Sequence, residues 1–280
     1  MTYRTLVPAF VMALVGGVAA VGEATVVNFP DFSSTAGLTL NGSAAATLTG
    51  DGNVLRLTPA NFGQAGSAFS SATINAASFS TFFSFRITGA GGWCCDASGQ
   101  VGADGLVFVV QSVSSSIGGG GGGIGYLGIG QSAGVEFDTW NNGSSVGDPD
   151  SNHVGVDTNG SVNSLVTQGV SPNFDDGNIW YAWVDYDGTT LDIRANQTGI
   201  RPVATLLSTS LDIPLLLGGS TAFVGFTSGT GADYGNHDIL SWEYRDSFEP
   251  IGGAVPEPGT LSLLGLGLAL GAARRRRGRR

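Results

Sequence analysis

The chain has 280 residues and a formal net charge of −10, with 46 glycines, two histidines and no lysine. Residues 25–250 hold five arginines against twenty acidic residues, a formal charge of −15, which argues against binding to nucleic acid. Such a domain suits cations or neutral ligands. The many Gly, Thr, Val and Phe residues favour short strands joined by turns over long helices.

Both ends of the chain are typical of export signals. Residues 1–20 combine Arg4 with an apolar run and a small-residue cleavage site, which predicts a secretory signal peptide. Residues 255–280 run from Pro256-Glu257-Pro258 through an apolar stretch to an arginine cluster, and this order resembles the PEP-CTERM sorting signal of Gram-negative bacteria. The resemblance implies cleavage by an exosortase-type protease and delivery to the cell surface or the extracellular space. A plain membrane anchor is the alternative.

Between these ends, alternating or β-branched segments predict nine strands. They cover residues 54–58, 79–88, 105–111, 134–139, 153–157, 179–187, 190–195, 222–227 and 239–247. Asp187-Gly188 predicts a hairpin between two of them. Many short strands with such turns predict one all-β domain, a β-sandwich or jelly roll, over residues 25–250. The adjacent Cys94 and Cys95 leave open a vicinal disulfide or two free thiols.

The segment that begins at Glu136 predicts a metal site. Residues two apart on a strand share a face, so Glu136, Asp138 and Trp140 point the same way. Carboxylates crowded on one face repel each other unless a cation lies between them. The following loop can supply further ligands, namely Asn142, Asp148 and His153. Oxygen donors with one imidazole suit calcium beside a transition ion such as manganese.

At this point the sequence resembles the legume (L-type) lectins, which have Glu-x-Asp-Thr-aromatic-x-Asn, a short loop, then Asp and a His five residues later. The resemblance implies the concanavalin A-like jelly-roll β-sandwich. It implies a transition-ion site formed by Glu136, Asp138, Asp148 and His153. It implies a calcium site formed by Asp138, Asp148, Asn142 and the Trp140 carbonyl. Ser164 would hold a metal-bound water, whereas Asp150 matches no family ligand and is expected to matter little.

Two further motifs match the sugar-binding loops of the same family. Ala103-Asp104-Gly105 matches the motif in which a cis peptide precedes an aspartate that accepts hydrogen bonds from two sugar hydroxyls. Gly122 lies in the glycine loop that offers a backbone N–H to the sugar. The resemblance adds the Asn142 amide and the Trp140 ring as sugar contacts. Residues 232–236 correspond to the specificity loop, which adds Ala232 and Asp233, with Asp233 or Tyr234 expected at the rim of the pocket. His237 beside this loop is expected to be structural.

The expected function is reversible, metal-dependent carbohydrate binding without bond cleavage, so the chain is not expected to be an enzyme. Its expected partners are a carbohydrate and an exosortase-type protease, while a homo-oligomer through sheet packing stays open. One alternative is a structural matrix or biofilm protein with little sugar binding. Another is a glycoside hydrolase of the laminarinase type, which needs Glu-x-Asp-x-x-Glu. Here Asn141 stands at the place of the second glutamate.

Overall fold

The computed structural model describes residues 25–116 and 121–252. The expected signal peptide and sorting tail lie outside these residues. The described chain forms sixteen strands and one short helix. The strands are β1 Thr25–Phe29, β2 Leu38–Gly42, β3 Ala45–Thr49, β4 Gly52–Thr58, β5 Ala65–Ser70, β6 Ile74–Asn75, β7 Phe79–Gly92, β8 Gly105–Gln111, β9 Ser132–Asp138, β10 His153–Thr158, β11 Val166–Gly169, β12 Ile179–Tyr186, β13 Thr190–Asn196, β14 Leu207–Ser210, β15 Thr221–Gly229 and β16 Asp233–Arg245.

The strands form two sheets whose hydrogen-bonded neighbours are antiparallel, which confirms the predicted β-sandwich. The first sheet has the order β14-β13-β12-β7-β16-β4-β3, and β1 also pairs with β16. The second has the order β11-β10-β9-β8-β15-β5-β2, and β6 also pairs with β15. The helix α1 Ile213–Leu217 begins at Asp212, whose side chain accepts from the Leu215 N–H, and ends at the left-handed Gly218. Along the described chain, no helix has the length and apolarity needed to cross a membrane.

The main core lies between the two sheets and is rich in aromatic side chains. Phe83 of β7 packs edge-on against Phe137 of β9 and Phe226 of β15, with ring centroids 5.6 and 4.9 Å apart. These rings alternate along their strands with residues that point the other way, as the two-residue period of a strand requires. The core therefore fixes which side chains of β9 and β15 face the outer side of the second sheet.

A second, smaller core explains why β8 is buried along its whole length. Its alternate residues Val107 and Val109 face away from the main core and pack against Ile124 and Tyr126 of the loop after residue 120. A strand covered on both faces has a continuous apolar sequence rather than an alternating one. This packing brings the glycine loop over the outer face of the second sheet.

All nine predicted strands are present, with ends displaced by a few residues. The seven strands that the sequence pattern did not reveal are β1, β2, β3, β5, β6, β11 and β14. Six of them lie at sheet edges or beside the main strand order, where one face meets solvent and apolar alternation is weak. The exception, β5, is built largely of Ala, Gly and Ser.

The structure corrects the predicted specificity loop. The sequence predicts a loop over residues 232–236, but β16 already begins at Asp233, and only residues 230–232 connect it to β15. Asp233 pairs with Gly92 and Tyr234 with Gly91, because β7 continues through its glycine-rich end. The absence of a side chain at Gly91 leaves room for the Tyr234 ring, which an added Cβ would approach to 2.9 Å.

Candidate functional site

Strands β9 and β10 bring the predicted metal ligands together on the outer face of the second sheet. Asp138 lies opposite His153, and Glu136 lies opposite Gly155. Residues directly opposite each other in an antiparallel pair have Cβ atoms about 4.5–5.5 Å apart. One ligand atom from each of Asp138, Asp148 and His153 lies within 4.8 Å of the others, and His153 Nε2 is 3.4 Å from Glu136 Oε1. The four predicted transition-ion ligands therefore form one cluster.

The loop after β9 folds back onto this cluster through backbone hydrogen bonds. The Trp140 N–H donates to Asp138 Oδ1 and the Asn142 N–H donates to Asp148 Oδ2, each over 2.6 Å. A short 3-10 turn, Gly143–Ser145, follows and redirects the chain toward Asp148. Trp140, Asn142 and Asp148, the predicted calcium ligands of the loop, are thus held beside Asp138.

The electrostatics of the cluster favour a cation. Burial raises the pKa of Asp138 well above its usual value, and the charge of Glu136 adds to the effect. Burial also raises the pKa of Asp148 to about 6, partly offset by the Asn142 N–H. Burial opposes a charged His153, yet the adjacent carboxylates, Glu136 first, raise its pKa. Every shift moves these groups toward holding a proton, which indicates that the cluster lacks positive charge.

A further buried carboxylate, Asp157, was not predicted as part of this site. It follows His153 and Gly155 at two-residue spacing on β10 and so shares their face. Ser164 Oγ lies 2.6 Å from Glu136 Oε1 and 2.7 Å from Asp157 Oδ1. Gly155 makes room for this arrangement, since a side chain there would collide with Glu136 and Ser164. The two-residue period of β10 could have placed Asp157 on the same face as His153.

The other ring nitrogen of His153 faces Asp150. Asp150 Oδ1 is 3.4 Å from His153 Nδ1, and it also accepts the Asn152 N–H over 2.9 Å. His153 is fully buried, and neither ring nitrogen has a hydrogen-bond partner among the described residues. Metal-bound histidines usually direct their second nitrogen to a carboxylate, carbonyl or water. Asp150 matches no family ligand and was expected to matter little, but the structure places it beside His153.

These observations satisfy a test of fit for calcium and a transition ion. The cluster offers carboxylate oxygens and one imidazole, which is the donor set that such a pair of ions takes. It also contains buried polar atoms without partners in the described structure, at both nitrogens of His153 and at Asp157 Oδ2. A bound cation would satisfy the acids that otherwise repel one another.

The predicted sugar-binding aspartate lies next to this cluster. The Ala103–Asp104 peptide is cis, as the resemblance implies. The backbone of Asp104 is fixed on both sides, because its N–H donates to the Gly229 carbonyl and its carbonyl accepts from the Thr139 N–H, each over 3.1 Å. Its Oδ2 is buried and has no partner among the described residues. Burial, with the charges of Asp233 and Asp148, raises the pKa of Asp104 to about 7.

The remaining predicted sugar contacts occupy three places around Asp104. Gly122 lies against the side chain of Asn142, where an added Cβ would come within 2.8 Å of Nδ2. Trp140 and Asn142 are half-buried on the metal loop. Ala232 is exposed, whereas Asp233 is buried as the first residue of β16. Gly122 thus contacts Asn142, and Asp233 lies on a strand rather than in a loop, near enough for its charge to affect Asp104.

Comparison with known proteins decides the family of this fold and site. The model of the legume lectin domain matches residues 25–254. The chain belongs to the legume lectin family. The model of the PEP-CTERM protein-sorting motif matches residues 254–277. The family carries a carbohydrate-binding function, and the second motif implies export.

Individual relatives agree with this assignment. The L-type lectin-domain containing receptor kinase VIII.1 of Arabidopsis thaliana is 34% identical over 208 residues, which are 71% of this chain and 27% of that protein. A galactose-binding lectin of Arachis hypogaea is 34% identical over 185 residues, 64% of each chain. The structure of lectin II from Ulex europaeus superposes with a TM-score of 0.64 at 26% identity, covering 78% of this chain and 97% of that one. The match therefore spans about a quarter of the receptor kinase.

The second histidine of this lectin domain is structural, as expected. His237 is fully buried, and its Nδ1 lies 2.7 Å from Thr58 Oγ1, which lies 3.0 Å from Ser228 Oγ. Ser228 donates to the Gly105 carbonyl over 2.7 Å. Each hydroxyl donates only one hydrogen, so Thr58 must donate to Ser228 and accept from His237 Nδ1–H. Burial lowers the pKa of His237 to about 3, so the ring is neutral and holds its proton on Nδ1.

This network also holds the backbone next to Asp104. It begins on the first sheet, crosses to the second, and ends on the carbonyl of the residue that follows Asp104. Thr58 and Ser228 were not predicted as supporting residues. Only the folded structure reveals them, because both are ordinary polar residues that lie 170 positions apart in the sequence.

Proposed function

We propose that this chain is an exported lectin that binds a carbohydrate with the help of calcium and a transition ion and does not cleave it. The observation that carries this proposal is the Asp104 carboxylate, whose buried Oδ2 has no partner among the described residues. A buried polar atom without a partner is costly, so an ordered Asp104 next to the cluster is best explained by a ligand that donates hydrogen bonds. Sugar hydroxyls are such donors.

We further propose that Glu136, Asp138, Asp148 and His153 hold the transition ion, and that Asp138, Asp148, Asn142 and the Trp140 carbonyl hold calcium. When bound, the two ions supply the positive charge that this acidic cluster lacks. Asp138 and Asp148 already fix the loop by accepting backbone N–H groups of Trp140 and Asn142. Binding of ions to the folded cluster therefore orders the loop that borders Asp104.

In the proposed complex, Asp104 accepts hydrogen bonds from two hydroxyls of one pyranose. Gly122 offers its backbone N–H, Asn142 its side-chain amide and Trp140 its ring. Ala232 and Asp233 shape the side opposite the metal loop. Because the peanut relative is a galactose-binding lectin, galactose and its glycosides are the first sugars to test.

The proposal of a binding protein rather than a hydrolase is supported by Asn141. A retaining hydrolase of this fold needs a second carboxylate on the same strand, about 5–5.5 Å from the first. Asn141 instead has an amide, whose Oδ1 accepts the Gly143 N–H over 2.8 Å. The side chain therefore serves the turn of the metal loop.

The two ends complete the proposal. We propose that residues 1–20 are removed as a signal peptide, that residues 25–250 form the lectin domain, and that an exosortase-type protease cleaves within the tail 255–280. The product would lie at the cell surface or in the extracellular matrix of a Gram-negative bacterium. The intact mass of the protein from its host tests both cleavages, because a mass that includes either end contradicts the corresponding step.

The central test is Asp104→Asn, which keeps the shape of the side chain but removes the charge and replaces one acceptor by a donor. Charge-assisted hydrogen bonds contribute roughly 1.5–3 kcal/mol each. We expect glycan affinity to fall at least about ten-fold in calcium and manganese, while metal content and melting temperature stay close to those of the parent. A glycan array followed by titration calorimetry measures this.

The matched control is Asp187→Asn, which alters an exposed aspartate in the hairpin between β12 and β13. The asparagine oxygen can still accept the hydrogen bonds that Thr189 and Thr190 donate in this turn, so we expect only a small loss of stability and no change in glycan binding. Parental glycan affinity in Asp104→Asn would contradict the assigned site. A parent protein that binds no glycan in either metal or EDTA would favour the alternative of a structural matrix protein.

A further inference from the structure

An exposed aromatic cluster lies beside the proposed sugar site, and only its Tyr234 falls within a lectin motif, the segment 232–236. It consists of Phe62, Trp93 and Tyr234. The Phe62 ring packs edge-on against Tyr234 at 4.9 Å and against Trp93 at 6.5 Å. Trp93 is 83% exposed and Phe62 is 46% exposed. A group of exposed large aromatic side chains is a feature of ligand-binding or interaction sites.

Backbone contacts connect this aromatic cluster directly to the surroundings of Asp104. The Trp93 N–H donates to the Ala232 carbonyl over 3.2 Å, and the Gly63 N–H donates to the Gly231 carbonyl over 3.0 Å. A Cβ added at Gly231 would lie only 3.7 Å from Asp104 Oδ2. The short connection from β15 to β16 therefore has Asp104 on one side and the aromatic cluster on the other.

The segment that carries Trp93 is also tied to the metal loop. Asp96 Oδ1 accepts the N–H groups of Ser98 and Gln100, and its Oδ2 accepts the Asn141 N–H over 3.1 Å. Burial opposes the charged form of Asp96, but hydrogen bonds, first from Ser151 and Ser98, lower its pKa to about 2. Residues 93–102 are thus held against the loop of Trp140.

The adjacent Cys94 and Cys95 are both free and exposed, with Sγ atoms 3.0 Å apart.

We propose that Phe62, Trp93 and Tyr234 form a second saccharide subsite, which stacks the pyranose next to the one held by Asp104. This aromatic subsite rests on the proposed function and deepens it, because it makes the natural ligand an oligosaccharide or polysaccharide. A neutral ligand fits the formal charge of −15 over residues 25–250. Aromatic walls with a few polar groups are the usual lining of such sites. The exposed ring of Trp93 is a flat apolar surface on which the apolar face of a pyranose can stack.

The test compares binding to single sugars with binding to their oligomers. The probe is a printed array that carries neutral hexoses as methyl glycosides and as the corresponding homotetrasaccharides, in calcium and manganese. For the sugar that the parent recognises, we expect tighter binding of the tetrasaccharide than of the methyl glycoside. Trp93→Ala should reduce tetrasaccharide affinity about five-fold, comparable to one aromatic stacking contact, and leave methyl glycoside affinity unchanged. Trp93→Tyr should retain most of the tetrasaccharide affinity.

The control is Phe248→Ala, which removes another exposed ring, 48% exposed. Phe248 follows the carboxy-terminal end of β16, whereas Asp233 begins that strand. It should leave both affinities unchanged. Equal parental affinity for both probe lengths, or parental tetrasaccharide affinity in Trp93→Ala, would overturn the subsite. Equal losses on both probes would place Trp93 in the primary site and also overturn it. If light scattering shows that Trp93→Ala only converts a dimer to a monomer, the cluster is an interface between copies.

The proposed function fails by a different pattern. In that case the parent binds no printed glycan, or Asp104→Asn binds methyl glycosides as well as the parent. The subsite fails when Asp104→Asn loses binding as expected but Trp93→Ala retains the tetrasaccharide preference. The two failures are therefore distinguished by which variant departs from expectation and on which probe.

Discussion

The two histidines of the chain are both fully buried, yet their surroundings are opposite. Around His237, Nδ1 and the hydroxyls of Thr58 and Ser228 are hydrogen-bonded, whereas Nε2 has no partner among the described residues, and the nearby Asp238 is paired with Arg56 at 2.7 Å. Around His153, carboxylates crowd together without an arginine. The five arginines of the described residues pair with acids elsewhere: Arg56, Arg86, Arg194, Arg201 and Arg245. The pKa of His237 is lowered, and that of His153 is raised.

This difference in charge balance is the one expected between a structural polar network and a metal-binding site. The His237 ring is neutral and the carboxylate near it has its counter-charge, so this network needs no ion. A cluster that lacks its counter-charge destabilises the fold until an ion arrives, and this is the property expected of a metal centre. Burial alone therefore does not distinguish the two histidines, whereas the charge balance around them does.

Metal removal should give the largest change in stability. It acts on the surroundings of His153 and leaves those of His237 unchanged. At ions about a hundredfold above their Kd, binding stabilises the folded state by about 2.7 kcal/mol. For a domain of this size we expect a melting temperature about 5–10 °C higher in calcium and manganese than in EDTA. Scanning calorimetry measures it. Superimposable melting curves would contradict a metal centre in this cluster.

Alanine substitution of each histidine should sharpen the comparison. His237→Ala leaves Thr58 without its donor, so we expect a loss of about 1–3 kcal/mol of unfolding free energy that is the same with and without metal. His153→Ala removes a proposed metal ligand, so its destabilisation should appear mainly in the metal-loaded protein. Urea unfolding in both buffers measures the two losses, and each variant is the control for the other. If both variants lose the same unfolding free energy in both buffers, the proposed difference between the two histidines is wrong.

The smallest effect is expected for Asp150→Asn. Loss of the carboxylate beside His153 Nδ1 should weaken manganese binding about ten-fold, the lower end for a residue that orients a metal ligand, because the Asp150 side chain is 45% exposed. Titration of manganese into chelator-treated protein measures this, with Asp187→Asn as the control. An unchanged affinity would show that Asp150 only shapes the turn at Asn152.

The candidate metal ligands were easier to find in the sequence than the edge strands were. Glu136 and Asp138 lie on a strand whose core residues alternate clearly, so their shared face followed from the two-residue period. The position of His153 opposite Asp138 depends on the pairing of β9 with β10, which no period predicts. Edge strands such as β3 lack that contrast, because most of their side chains meet solvent on both sides. Asp150 and Asp96 lie in loops, where no period predicts the direction of a side chain.

The sequence by itself determined the all-β class, the family resemblance, the sorting motif of residues 254–277 and the set of oxygen and imidazole donors, because these depend on composition and short spacings along the chain. Tertiary structure alone decided which groups meet across the sandwich. Trp93 reaches the neighbourhood of Asp104 only because β7 continues to Gly92 and pairs with Asp233. His237 supports the Gly105 carbonyl only because two sheets face each other. Contacts between residues more than a hundred positions apart follow from packing, and local sequence patterns do not carry that information.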